Sequence, residues 1–448
     1  MHILCTGLNH HSAPVELRER LSFMGERLAA ALADLCDLPG VQQAVLLATC
    51  NRTEVYTASS GEAGAFVRAW LTVRSGLDVG VLWPHIYDRA GRDAVLHLCR
   101  VAAGVDSQVV GESEILGQVK AAAKAAKAAA TLGPELDKML AAAIAAGKRA
   151  RSETGISRGA FSIGRCAVDT ARSVFGTLQG RAIFILGAGK IAESTARHLR
   201  AQGAAPILVA NRTHSRAQEL AQQLGGRALR YDQLAEALVE ADIVISSTSA
   251  PHFVLLREHV AEAMSRRQGR GLFLIDIAVP RDIDPQVTAV EGVHLYDIDD
   301  LGGGVEAAAA GRAAEVASAE EIAREAAEEF WQWLTAREAV PLLAALRDHF
   351  EDARQDQLAK YAARIARLQP SERKLVEEVT RSLVKRLLHE PTVNLKSELA
   401  RGNGNAADAI ARVYDLASPA PGAPPAGAEQ RQARVQHRPV RKAAPARE

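Results

Sequence analysis

The stretch "RAIFILGAGKIAESTARHLRAQGAAPILVANRT", Arg181 to Thr213, reads as strand, glycine turn, helix and strand. Its apolar run "AIFIL" leads into Gly187-Ala188-Gly189-Lys190-Ile191-Ala192, a G-x-G-x-x-A fingerprint, which opens the amphipathic run "KIAESTARHLRAQG". A lone fingerprint is weak, but one placed between a strand and a helix predicts a dinucleotide site. Gly187 permits the tight turn, Gly189 lets the backbone approach a pyrophosphate, and small Ala192 lets helix and strand pack closely. The pyrophosphate belongs on the helix N-terminus, where free N–H groups and the dipole favour anions. An NAD site usually carries an Asp or Glu about 20 residues further on. Here "LVANRTHSR" has no acid, and Asn211, Arg212 and Thr213 offer donors and a cation. A carboxylate repels a 2′-phosphate and Arg212 pairs with one, so NADPH is the expected cofactor.

Further apolar strands, "ADIVISSTS" and "GLFLIDIAVP", alternate with helical patterns, so residues 155–300 read as a parallel, doubly wound sheet. Residues 1–154 mix short strands, "HILCTGLNH" and the runs flanking Cys50, with later alanine-rich helix such as "KAAAKAAKAAA". In "SAPVELRERLSF", Ser12 is the expected N-cap of a helix carrying Pro14 early. Residues 301–416 are amphipathic helices whose apolar stripes need partners. Residues 417–448 are rich in proline, glycine and alanine and predict a disordered tail. The expected fold is an α/β multidomain chain: an N-terminal α+β catalytic domain, a Rossmann-type NADP-binding domain and a C-terminal all-α dimerisation domain.

Composition sets outer limits. The 448 residues are 48% hydrophobic and 24% charged, with net charge +1, so no bulk field drives the chain onto nucleic acid or membrane. No run approaches the roughly 18 apolar residues of a membrane span. The opening "MHILCTGLNH" lacks a basic region followed by an apolar block, and a cytoplasmic protein is expected. Five cysteines stand at irregular spacing with no CxxC pair, so neither a disulfide framework nor a metal site is expected. Cys5, Cys36, Cys99 and Cys166 read as structural.

Cys50 differs from them. It stands with Thr49, Asn51 and Arg52 between an apolar run and a strand, in "AVLLATCNRTEVY". A nicotinamide hydride does not readily reduce an ester. A thiolate that attacks an acyl group leaves a thioester, whose sulfur donates poorly into the carbonyl, and that carbon accepts hydride. Arg52 is a cation for the thiolate or for an anionic substrate.

The blocks "TGLNHHSAPVELRERLSF", "LLATCNRTEVY", "AAGVDSQVVGESEILGQVK", "SETGISRGAFSIG", "LGAGKIA", "ANRT", "DIAVPRDID" and "YDIDDL" follow in this order. Together they resemble the glutamyl-tRNA reductases, over roughly Thr6 to Leu301. The resemblance implies that Cys50 attacks glutamate esterified to tRNA, that tRNA leaves, and that NADPH reduces the thioester to glutamate-1-semialdehyde, the first step towards 5-aminolevulinate and porphyrins. It implies substrate contacts at Thr49, Asn51, Arg52, Ser107, Glu112, Ser113, Glu114 and Gln118, and an auxiliary catalytic role for His97. It also implies a homodimer and a transient complex with the downstream aminomutase. His10 and His11 are expected to line the site. From the residues alone, Ser107 or Ser113 reads equally as a helix cap and Glu112 or Glu114 as a first-turn acid. "PRDI" reads either as the edge of the cofactor cleft or as a turn fixed by Pro280. Two other readings stand beside the reductase: an ordinary NADP-dependent dehydrogenase with a structural Cys50, and a nucleotide sensor that dimerises through its helices.

Overall fold

The computed structural model describes residues 1–23, 25–61, 63–112, 114–157, 163–302, 313–400 and 405–416. Ser113 and the expected tail, 417–448, lie outside them. The chain divides into two compact units, His2–Phe330 and a second built from Trp331 onward.

The first unit opens with β1 (His2–Asn9), α1 (Val15–Arg18), α2 (Glu26–Cys36), β2 (Val41–Ala48), β3 (Arg52–Ser59), α3 (Gly64–Ser75), α4 (Val79–Leu82) and β4 (Tyr87–Ala90). The helices α5 (Arg92–Ala102), α6 (Ile115–Ala128) and α7 (Pro134–Glu153) follow. The strands form an antiparallel sheet in the order β2-β3-β1-β4. Ser12 does not cap α1; Asn9 N–H donates to its hydroxyl at 3.1 Å, and that hydroxyl turns back to Asn9 O. The N-cap is Pro14, without a side-chain cap.

Strand β3 organises this section. It pairs with β1 from Asn9↔Arg52 to His2↔Ser59 and with β2 on its other edge. Its sequence "RTEVYTAS" alternates as a half-exposed strand should, yet all eight residues are buried. Arg52, Thr53, Glu54 and Thr57 therefore face protein rather than water, and each needs a partner inside.

The second section comprises α8 (Ile163–Phe175), β5 (Ile183–Gly187), α9 (Lys190–Ala201), β6 (Ile207–Ala210), α10 (His214–Leu224), β7 (Arg227–Leu229), α11 (Leu234–Glu240) and β8 (Ile243–Ser247). It continues with α12 (Arg257–Arg266), β9 (Leu272–Asp276), β10 (Val293–Asp297) and α13 (Ile298–Gly302). Its parallel sheet runs β10-β9-β8-β5-β6-β7, the doubly wound order in which strand succession reverses between β5 and β8. Both faces are covered, one by α8, α9 and α10 through Ala167, Leu199 and Leu220, the other through Leu238, Val260 and Ile283. The section is thus the expected Rossmann-type domain, with its ligand crevice at the β5/β8 reversal.

Helix α14 spans Ala313–Lys360. Its first part packs Ala319 against Ala103, Val105, Ala150 and Ile156. The second unit adds α15 (Ala362–Ile365), α16 (Pro370–Ala400) and α17 (Asn405–Val413) around a core of Leu342, Leu395 and Leu399. On α16, Leu375, Val379, Leu383 and Leu387 recur every fourth residue and are each more than half exposed. That spacing makes a single apolar stripe along one helix face. Among the described residues, no helix is long and apolar enough to cross a membrane.

Candidate active site

Cys50 lies in the short loop joining β2 to β3. Thr49 builds that loop: its Oγ1 accepts the N–H groups of Asn51 and Arg52, each at 3.1 Å, and its own N–H donates to Arg52 O at 2.8 Å. The Thr49 hydroxyl, expected at the substrate, is engaged in the turn. Cys50 is partly buried, and it packs against the apolar cluster of the Rossmann section, the one that also receives Ile191 of the fingerprint. Burial pushes its thiol up to about 12; Glu112 and Glu114 add to the rise and Arg18 opposes it. The resting thiol is therefore protonated. The cation beside it is Arg18 rather than Arg52, which corrects the expectation that Arg52 supports a thiolate.

Arg52 is 1% exposed and its guanidinium is engaged inside the protein. One of its terminal nitrogens donates to Glu54 at 2.6 Å; the other donates to the backbone carbonyl of Asp106 and, at 3.1 Å, to the Asp106 carboxylate. Glu54, wholly buried, is the hub of this network. It also accepts from Tyr56 and Tyr87 hydroxyls at 2.5 Å each and meets His97 Nε2 at 2.8 Å. Burial alone disfavours its charge, but Arg52, His97 and these hydrogen bonds hold the carboxyl well below the usual carboxylate range. Cys5 lies within 4.8 Å of the same Glu54 and His97 atoms. Both Glu54 oxygens already accept donors, so the cluster is a hydrogen-bonded hub. His97, expected in an auxiliary role, is 3% exposed, with Nε2 on Glu54 and its ring edge-on to Tyr87. It shares Glu54 Oε1 with Arg52.

The segment before α6 brings Glu112 and Glu114 near Cys50 and Asp106 onto Arg52. Ser107 does not cap that helix; the N-cap is Glu114, without a side-chain cap bond. Glu112 is pushed up to about 7 by burial, with Glu114 adding to the rise and nearby Ser107 and Arg52 opposing it. Gln118 lies one turn into α6, partly buried, its N–H on Glu114 O. Asn51 Oδ1 is buried and has no hydrogen-bond partner among the described residues.

Residues that sequence reasoning passed over hold the two sections together. Arg18 forks onto Asp299 of α13 at 2.9 and 3.1 Å, while its Nε donates to Cys50 O at 3.2 Å. Gln108 reaches Ile298 O at 3.1 Å. Arg281 of "PRDI" forks onto Glu19 and adds Glu16 at 2.7 Å. Neither reading of that motif anticipated a clasp between domains. The turn behind it rests on Asp276, whose Oδ2 accepts the N–H groups of Asp282 and Ile283. The only sequence signal was position: "LRER" and "YDIDDL" are polar clusters at element ends.

At the fingerprint, Gly187 has φ +104°, and a side chain there or at Gly189 would strike Ser247 at the end of β8. Both glycines thus let β8 approach the turn, as the β5/β8 crevice requires. Gly189 caps α9, Lys190 begins it, and Ala192 is fully buried against the sheet. The first-turn N–H groups of α9 remain for an anion. After β6, Asn211 Oδ1 accepts Thr213 N–H at 3.3 Å and Arg212 is exposed, with no acid between Asn211 and Thr213. Together the turn and the helix start fit a dinucleotide.

Comparison with known proteins covers the three sections before residue 417. The model for the glutamyl-tRNAGlu reductase N-terminal domain matches residues 6–154, shikimate / quinate 5-dehydrogenase matches 169–303, and the glutamyl-tRNAGlu reductase dimerisation domain matches 318–416. The middle section is accordingly a nicotinamide-nucleotide domain of dehydrogenase type. Glutamyl-tRNA reductase of Syntrophotalea carbinolica is 42% identical over 93% of this chain and 95% of its own length. That of Pelotomaculum thermopropionicum is 41% identical over 89% and 90%. A solved structure, glutamyl-tRNA reductase from Methanopyrus kandleri, is 34% identical, covers 92% of this chain and 99% of its own, and gives a TM-score of 0.48. With identity above 40% over about nine-tenths of the chain and both family-specific domains matched, the chain belongs to the glutamyl-tRNA reductase family.

Proposed function

We propose that this chain reduces glutamate esterified to tRNA(Glu), using NADPH, to glutamate-1-semialdehyde with release of tRNA, the first step of 5-aminolevulinate and porphyrin synthesis. The observation that carries the reading is the placement of Cys50: a thiol on a built turn, beside Arg18 and two carboxylates, packed on the cluster that receives the fingerprint helix. Cys50 Sγ attacks the ester carbonyl, the bond to the tRNA 3′ oxygen breaks, and a glutamyl thioester remains. NADPH, when bound by Gly187 to Ala192 with Arg212 on the 2′-phosphate, supplies the hydride. Collapse of the Cys50 hemithioacetal frees the aldehyde and restores the thiol.

Substrate recognition follows from the charges. Glu112, Glu114 and the unpartnered Asn51 Oδ1 receive the α-ammonium group. Arg52 receives the side-chain carboxylate on the nitrogen it now gives to Asp106. Ser107 and Gln118 border the same segment, and Thr49 shapes the loop. His97 acts as a positioning residue, through Glu54 on Arg52. The α16 stripe forms the homodimer contact. The protein works in the cytoplasm, and its reactive aldehyde passes to the aminomutase in a transient complex.

Glutamyl-tRNA-dependent NADPH oxidation tests the reading. The wild type turns over only when charged tRNA is supplied, and Cys50→Ser abolishes that turnover. A Cys50→Ser enzyme that keeps it supports an ordinary dehydrogenase instead.

A further inference from the structure

The resting thiol is protonated and faces two carboxylates that oppose its ionisation. Attack on an ester therefore needs a base that takes the proton as the C–S bond forms. The histidines near the loop are mostly engaged. His97 Nε2 is on Glu54, and His85 Nδ1 contacts Ser12 O at 2.5 Å.

His10 is not engaged, and unlike exposed His11 it buries its ring nitrogens beside the loop. It follows β1, whose last pair is Asn9↔Arg52, and its N–H donates to Asn51 O at 2.9 Å, one residue from Cys50. Both ring nitrogens are buried, and neither has a hydrogen-bond partner among the described residues. An orphaned buried donor and acceptor costs stability and calls for an explanation. The charged and titratable groups around it are His11, whose ring lies 3.9 Å away, Arg52, Asp106 and Arg18, the residue that also holds Cys50 O. Burial, His11 and Arg52 push the imidazole down to about 3, with Arg18 adding to the fall and Asp106 opposing it. His10 is thus neutral at pH 7, with a free lone pair on a buried ring nitrogen, and its own backbone is bonded to the residue after Cys50.

We propose that His10 is the general base of thioester formation. It removes the Cys50 Sγ proton as sulfur attacks the glutamyl carbonyl, and it returns that proton to the tRNA 3′ oxygen as the C–O bond breaks. No oxidant or further co-reactant is needed; one proton passes from sulfur to oxygen. The assignment rests on the acyl-transfer reading above.

Its test is the rate of Cys50 acylation in a single turnover, with glutamyl-tRNA and no NADPH, read as release of uncharged tRNA. His10→Asn and His10→Gln place an amide where either ring nitrogen stood, and the variant that keeps wild-type NADPH binding is the one read. The expected result is acylation slowed by about 10²–10⁴-fold, the range for a lost general base, with KM little changed. The residual rate should climb with pH as free thiolate appears, and imidazole should restore part of it to His10→Ala. Acylation within threefold of wild type, or a slowed rate with an unaltered pH profile and no imidazole rescue, overturns the role of His10. A wild type that never acylates Cys50 instead overturns the thioester reading on which it rests.

Discussion

The fingerprint loop and the thiol loop both sit at the end of a buried strand, but they are built in opposite ways. At Gly187 the chemistry is made by backbone: a turn, a helix start and the absence of side chains. At Cys50 it is made by side chains drawn from α1, β3, the segment before α6 and α13. A backbone site is local, so its residue pattern travels with the sequence. A side-chain site depends on which distant groups the fold brings together, and their electrostatics oppose as often as they assist. Glu112 and Glu114 make the thiol harder to ionise even as they offer carboxylates to an ammonium group.

Substitutions can break this contrast in order of effect. Cys50→Ser should lower tRNA-dependent turnover by on the order of a thousandfold or more, as loss of a nucleophile does, while NADPH titration remains normal. Gly189→Val should do the reverse, abolishing NADPH binding while leaving Cys50 open to acylation; acylation lost together with binding would show that the two loops do not act separately. Glu54→Gln removes the buried anion that holds Arg52, and chemical denaturation should register a loss of about 3–5 kcal/mol with a raised KM for glutamyl-tRNA. A variant as stable as wild type would mean the hub is not what holds Arg52. Arg212→Ala should shift preference from NADPH towards NADH by about tenfold in kcat/KM, the value of one charge-assisted pair of about 1.4 kcal/mol.

A pH series is the smallest effect and the finest probe. Glu112 titrates near 7, its carboxyl being raised by burial. Below that pH it is neutral and attracts an ammonium group weakly; above it the charge is present. KM for glutamyl-tRNA should therefore fall as pH rises through about 7, and Glu112→Gln should flatten that dependence. A profile unchanged by the substitution removes Glu112 from the ammonium site. Dimerisation gives an independent check: Leu383→Arg, in the exposed α16 stripe, should shift sedimentation towards monomer without altering single-turnover acylation.

The doubly wound sheet and the fingerprint were legible because continuous apolar runs, glycines and helix starts are short-range signals. Cys50 was legible as a reactive thiol only once a hydride source had been recognised. The rest of the site was not. Strand β3 alternates polar and apolar residues, which reads as a half-exposed strand, but the fold buries both faces and turns Arg52 and Glu54 into an internal network. His97 was visible as a histidine on an apolar helix, but not that Glu54 would occupy its nitrogen. Arg18 and Arg281 resembled surface arginines; their partners, Asp299 and Glu19, lie more than 250 residues away.

Whether Cys50 carries the acyl group decides the account most directly. The enzyme should be mixed with glutamyl-tRNA in the absence of NADPH, quenched in acid, digested and analysed by mass spectrometry. The account predicts a glutamyl adduct on the peptide bearing Cys50, absent from Cys50→Ser and discharged as glutamate-1-semialdehyde when NADPH is added before the quench. Tight turnover of glutamyl-tRNA with NADPH, with no adduct on Cys50 under any quench, would contradict it.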